Sequence, residues 1–393
     1  MPGAIIVFMH RYLRGARVSA AVAIAACVLA GCMSPLPLAA PPPDPDAMRR
    51  QIAQLLPPAT RNREGWAVDI FAAFEALGVA PTTTNICAVL AVAGQESGFQ
   101  VDPVVPGLAA LARREMESRA ARYGVPAVAL RAAMALRSPD GRSYNERLDA
   151  VSTEKGLSDI FEDFIGSVPL GRRLFENLNP VRTAGPMQVG IAFAEQHAKT
   201  RRYPYPQAGS LRDELFTRRG GLYFGIAHLL DYAANYDDLL FRFADYNAGH
   251  YASRNAAFQN AIGKLARAPL ALDGDLLRGD DPDKPGETEL ALRRLGLRLQ
   301  LSDAAIHRDL LHGREQDFER TALYQRLFML ADSAAAVPLP RALVPQIRLQ
   351  SPKITRTLTT DWFAHRVDGR YDQCMRQGNP VPRAAAAQEA APR

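Results

Sequence analysis

Three short polar runs in this chain carry side chains able to do chemistry together. The first is Gln95-Glu96-Ser97, closing an otherwise apolar stretch. The second is Gly185-Pro186-Met187-Gln188, and the third is Asp245-Tyr246-Asn247-Ala248-Gly249. Together they offer one carboxyl, one phenol and two amides, a set suited to protonating a leaving oxygen while hydrogen-bonding a polyhydroxylated substrate. A glutamate starts near pKa 4.3 and must rise by roughly two units, about 2.7 kcal/mol of differential stabilisation, to keep a proton at neutral pH. Each run also has a plainer reading. Glu96 fits a solvated helix end, Gln188 a loop-stabilising amide, and Asn247 a helix C-cap beside a buried Tyr246.

The elements that must place these groups are helical. From Thr83 the residues Ile86, Val89, Leu90 and Ala93 follow the i, i+3, i+4, i+7 pattern of a buried face. Thr84 or Asn85 serves as cap and Gly98 as a left-handed stop. That phase carries Glu96 and Ser97 inward in the last turn, where desolvation and the negative helix end both raise a carboxyl pKa. Around Gln188 the Pro and Gly positions require a loop, with Met187-Gln188-Val189 as a short strand before a helix over Ile191–Lys199. Ser210-x-x-Asp213 opens a further helix as a capping pair. Helices are then expected from Gly220 to Tyr236 and, capped by Asp237, from Leu239 to Asn247, ending at Gly249.

Other carboxylates compete for a second acid role. Glu115, Glu117, Glu146, Glu162 and Asp163 lie in a helical block between the first two runs. Asp245 is either a solvent-facing partner of Arg242 or a second carboxylate that activates water, the arrangement of a hydrolase.

The chain has 393 residues, 48% hydrophobic and 22% charged, with a net charge of +6. That is room for one large domain or two ordinary ones. Its basic residues are scattered, so no nucleic-acid interface is expected. Of four cysteines, Cys87 and Cys374 lie in the body, where they either form one disulfide or remain two buried thiols. The histidines make no i, i+4 pair and no Cys/His cluster, so neither a metal site nor a cofactor is expected. Arg11, Arg14 and Arg17 precede an apolar run, Val18–Ala30, which reads as a signal peptide (1–31) rather than a membrane span. A proline-rich tether occupies 32–47. A helical C-terminal region occupies 267–376, its closing helix over Thr359–Met375, and 377–393 is a low-complexity tail.

Several of these runs resemble known motifs. Leu29-Ala30-Gly31-Cys32 resembles a lipobox, which implies lipidation of Cys32. Met33 in the next position implies an outer-membrane destination facing the periplasm. Taken in order, Glu96-Ser97, Gly185-Pro186-Met187-Gln188 and Tyr246-Asn247-Ala248-Gly249 resemble the three motifs of family-1 lytic transglycosylases. Gly221-Leu222-Tyr223-Phe224-Gly225 is similar to the helix those enzymes carry before the Tyr-Asn motif. Pro186 stands where the family has Leu, Asp245 where it has a small apolar residue, and the insertion 100–178 is unusually long. Over nearly its whole length the chain also resembles a family of bacterial lipoproteins described only as a domain of unknown function. That match is carried by residues 218–225, 253–259 and 351–356.

The transglycosylase resemblance implies a mainly α, lysozyme-like domain (48–266) acting on peptidoglycan glycan strands. Glu96 would be the single acid and base, and Tyr246 would orient it. Ser97, Met187, Gln188 and Asn247 would bind the sugar. A non-catalytic glycan-binding lipoprotein is the alternative, and a cell-envelope protein partner is left open.

Overall fold

The computed structural model describes residues 44–378, apart from 207–208, 350–356 and some positions in 169–177 and 280–282. The signal peptide, Cys32, most of the tether and tail, and the 351–356 stretch lie outside the described residues. The chain is mainly helical, with two small antiparallel pairs of two-residue strands. No described helix is long and apolar enough to cross a membrane.

The first core is built on α3 (Thr83–Glu96), whose residues from Ile86 to Gly94 are all buried. A helix apolar all round must be enclosed on every side. α1 (Pro45–Leu55) packs on α2 (Arg63–Leu77), and Trp66 of α2 is a core residue. α1 begins inside the expected tether, because Pro45 is well suited to a first helical turn. The insertion then supplies α4 (Leu108–Arg122), α5 (Ala127–Ala135), α6 (Tyr144–Ala150) and α7 (Glu154–Ser167) around a small cluster of their own. Strands β1 (Thr183–Ala184) and β2 (Val189–Gly190) pair with Ala184 opposite Val189. Met187 and Gln188, expected in a strand, form the turn between them.

The chain continues through α8 (Ile191–Thr200), α9 (Leu211–Leu215), α10 (Arg218–Leu230) and α11 (Leu239–Ala248). Ser210 and Asp213 make the expected capping box on α9. α10 stops at Leu230 rather than running on to Tyr236, and Asp238, not Asp237, caps α11. α12 (Ala252–Ala266) leads to a second core with α13 (Glu287–Arg294), α14 (Gly296–Leu299), α15 (Asp303–Leu310) and α16 (Ala322–Ser333). Phe258, Ala261 and Ile262 of α12, which precede the boundary expected at 266, pack in this second core.

After β3 (Arg348–Leu349) and β4 (Leu358–Thr359), α17 (Thr360–Gly378) returns to the first core with Phe363, Ala364 and Val367 buried. It runs antiparallel to α3. Cys87 and Cys374 are joined by a disulfide with their Cα atoms 5.5 Å apart, and Arg370 donates to Gln95 at 3.2 Å. The last helix is thus bonded along the helix that carries Glu96.

Candidate active site

The turn Gly98-Phe99 fixes the end of α3 and with it Glu96. Both residues take left-handed backbone angles, φ 58° and 63°, which fold the chain back on α3. The Phe99 ring then packs edge-on against Trp66, 5.6 Å between centroids, and over Gly94. A Cβ at Gly94 would stand 3.1 Å from that ring, so glycine there lets the aromatic close over the last turn. Ser97 is buried, and its hydroxyl donates to Ala93 O at 3.1 Å. The group expected to contact substrate is turned back into its own helix.

The Glu96 side chain is half-buried. Among the described residues its carboxyl oxygens make no hydrogen bond. Burial pushes its pKa from the ordinary 4.5 up to about 8, and the nearby charge of Glu154 adds to the rise. Near neutral pH the side chain is therefore mostly protonated. The raised value and its main cause, burial, were expected; the contribution of Glu154 was not.

Glu154 was not foreseen. It is the first residue of α7, and a glutamate in a first turn reads in sequence as ordinary complement to the helix dipole. Only the fold brings it near Glu96. Val104, eight residues after Glu96, bridges to Thr153, and Val105 N–H donates to Ser152 O at 2.8 Å. Leu157, one turn along α7, packs against the first core.

The second run sits on a stripe of glycines. Pro186 and Met187 lie against Gly221 and Gly225 of α10, where a Cβ would come within 2.5 Å of Pro186 Cδ and 2.6 Å of the Met187 side chain. Pro186 is accordingly a packing residue seated on α10. Met187 is fully buried, which corrects the expectation that its side chain meets a sugar. Its contribution is its carbonyl, which accepts from the Tyr246 hydroxyl at 2.6 Å. Gln188 is half-buried with φ 49°; its amide oxygen accepts from Thr183 Oγ1 at 2.8 Å, and its amide nitrogen reaches Gly185 O at 3.4 Å.

Tyr246 joins the three runs. Besides its bond to Met187, its phenol is held well above the ordinary pKa by burial and by the charge of Glu96. Its ring lies 4.9 Å from that of His228. The His228 Nε2 lies 3.2 Å from Tyr246 O, and a carbonyl accepts only, so Nε2 carries the proton. Burial and His250 push His228 down to about 3, so it stays neutral, and its Nδ1 is left without a partner. Asn247 accepts from the Thr360 hydroxyl at 2.8 Å, linking the third run to the start of α17.

Asp245 requires a correction on both counts. It is neither solvent-facing nor paired with Arg242, whose guanidinium instead donates to Tyr232 O and lies over the Tyr232 ring. Asp245 is fully buried and accepts from Tyr236 OH at 2.6 Å, Tyr232 OH at 3.2 Å, Tyr251 N–H at 3.0 Å and Ser253 N–H at 2.7 Å. Burial raises its pKa while these donors pull it back. With both oxygens occupied, it cannot activate water. It ties the loop before α11 to the first turn of α12.

The 253–259 stretch is likewise structural. Arg254 donates to Gly313 O and Glu315 O, Asn255 to Gly274 O, and Gln259 to Asp273 and Asp275 O, binding α12 to the loops around the second core. Among the described residues, His312, Glu315 and Asp317 hold ligand-type atoms within 4.8 Å of one another. They are surface groups, the imidazole 3.2 Å from each carboxylate.

Residues 59–377 match the family described as "Protein of unknown function (DUF1615)", and the chain belongs to that family. It is also 52% identical over 356 residues to the "Uncharacterized protein YaiW" of Escherichia coli (strain K12), an alignment spanning 90% of this chain and 97% of that protein. No solved structure matches.

Proposed function

We propose that this protein is a lipid-anchored lytic transglycosylase acting on peptidoglycan, its first core a lysozyme-like domain. The reading rests on one observation. A glutamic acid pushed up to about 8, making no hydrogen bond among the described residues, acts electrostatically on a tyrosine that is bonded to the Met187-Gln188 turn. That link between the three motif segments supports the reading.

In this reading Glu96 gives its proton to the oxygen between MurNAc and GlcNAc as the C1–O bond breaks. The resulting carboxylate stabilises the oxocarbenium-like centre and then takes the proton from the MurNAc 6-hydroxyl. That oxygen closes on C1, leaving a 1,6-anhydro end and a reprotonated Glu96, with no water consumed. Tyr246 orients the acid, and the Gln188 and Asn247 amides hydrogen-bond the sugar. Cys32 supplies the anchor, on the periplasmic side of the outer membrane. Positioned proton transfer contributes about 100- to 10,000-fold.

Sacculi treated with wild type should release anhydro-muropeptides detectable by mass spectrometry, and Glu96→Gln should reduce release by at least 100-fold. Equal release by both proteins refutes the assignment. A second reading, glycan binding without turnover, draws on the crowding of Glu96 by Glu154. Retained sacculus binding with no soluble product from wild type would select it.

A further inference from the structure

We infer that the insertion holds a separate binding site for an anionic amphiphile with one long acyl chain. Helices α4 to α7 do not fill the space between them. They enclose a cavity of about 790 Å³, walled by Met116, Leu130, Met134, Leu148, Ile160 and Phe164. That size falls within the roughly 300–1,000 Å³ range of small-molecule sites. Only Met134, Tyr144, Leu148 and Ile160 are buried in this cluster, while Met116, Leu130 and Phe164 are only partly covered. The apolar faces that should have met each other face an opening instead.

Packing at this cluster is also incomplete in its polar groups. Tyr144 lines the cavity and is 1% exposed, yet among the described residues its hydroxyl has no hydrogen-bond partner. A buried hydroxyl left unpaired is costly, so these helices do not satisfy one another fully.

The wall selects the ligand class. It is mainly apolar, and an alkyl chain, unlike a sugar, a base or a peptide backbone, needs no polar partner there. The charged residues in the lining are Glu115 against Arg119, Arg122 and Arg182. Glu115 is shared by Arg119 at 2.6 Å and Arg122 at 3.6 Å, two cations to one anion, which favours an anionic headgroup. Tyr123 and Val125, exposed by 73% and 41%, add apolar surface to the lining. Glu96, Gln188 and Tyr246 are not part of it, so this site stands or falls independently of the glycan reading.

The test is titration of the full chain with cis-parinaric acid, a fluorescent fatty acid, followed by competition. Saturable one-to-one binding is expected, with palmitate displacing the probe at least tenfold better than hexadecyltrimethylammonium or uncharged monopalmitoylglycerol. Shorter fatty acids should weaken by about fourfold per methylene removed. Palmitoyl-lysophosphatidylglycerol tests the same chemistry presented by a lipid; whichever anion binds tighter names the source. Ala120→Trp, which fills part of the cavity, should weaken the probe at least tenfold. Arg119→Glu with Arg122→Glu, both on the surface, should abolish the preference for anions without unfolding the protein, as checked by circular dichroism. Absence of saturable binding overturns the inference. So does affinity indifferent to ligand charge, or unchanged in both variants.

Discussion

Two carboxylates, Asp245 buried and Glu96 half-buried, have opposite surroundings. Asp245, inside the last turn of α11, accepts four hydrogen bonds, two from phenols and two from backbone N–H groups. Glu96, at the end of α3, accepts none among the described residues and lies near a second acid, Glu154. Both are pushed up by burial, but only for Asp245 do donors pull the value back. The number of donors separates a carboxyl that holds a fold together from one that keeps its proton.

Breaking Asp245 should therefore have the largest effect on stability. Asp245→Ala strands four donors and should cost on the order of 3–5 kcal/mol, read by urea unfolding. If the loss is under 1 kcal/mol, the contrast between the two carboxylates fails. Glu96→Gln should act in the opposite direction. Between about pH 4.5 and 8 the folded protein holds a proton that the unfolded chain releases, so wild-type stability falls as pH rises through that window. The glutamine variant removes that loss and should gain on the order of 2–4 kcal/mol at pH 8, with little change at pH 4. Replacing both Cys87 and Cys374 by Ala should cost about 2–4 kcal/mol, and a reductant should then destabilise wild type alone. The smallest effect is expected for Gly225→Ala, whose Cβ would press on Met187. It should cost about 1–3 kcal/mol and disturb the carbonyl that Tyr246 uses, seen as a shifted tyrosine signal by NMR.

The sequence revealed what is local. The buried face of α3, the left-handed stop at Gly98, the Ser210 capping box and the end of α11 at Gly249 all come from spacing and residue type. It hid what depends on distant partners. α10 ends early because Tyr232 and Tyr236 must leave the helix to reach Asp245, and nothing in their own neighbourhood signals that. Glu154 is an ordinary first-turn acid until the Val104–Thr153 bridge folds the insertion back. Met187 looks like a motif residue, yet the glycines of α10 make it a packing one.

The bond between Cys87 and Cys374 spans 287 positions, and its second half belongs to the last of the described helices. During synthesis the segment ending in Glu96 emerges early and waits for most of the polypeptide before its final neighbour arrives. A chain cut short before Thr360 would lack that covering helix and leave the apolar flank of α3 bare. Closure of α17 over the helix that carries Glu96 thus requires synthesis to have reached that helix and the two thiols to be oxidised.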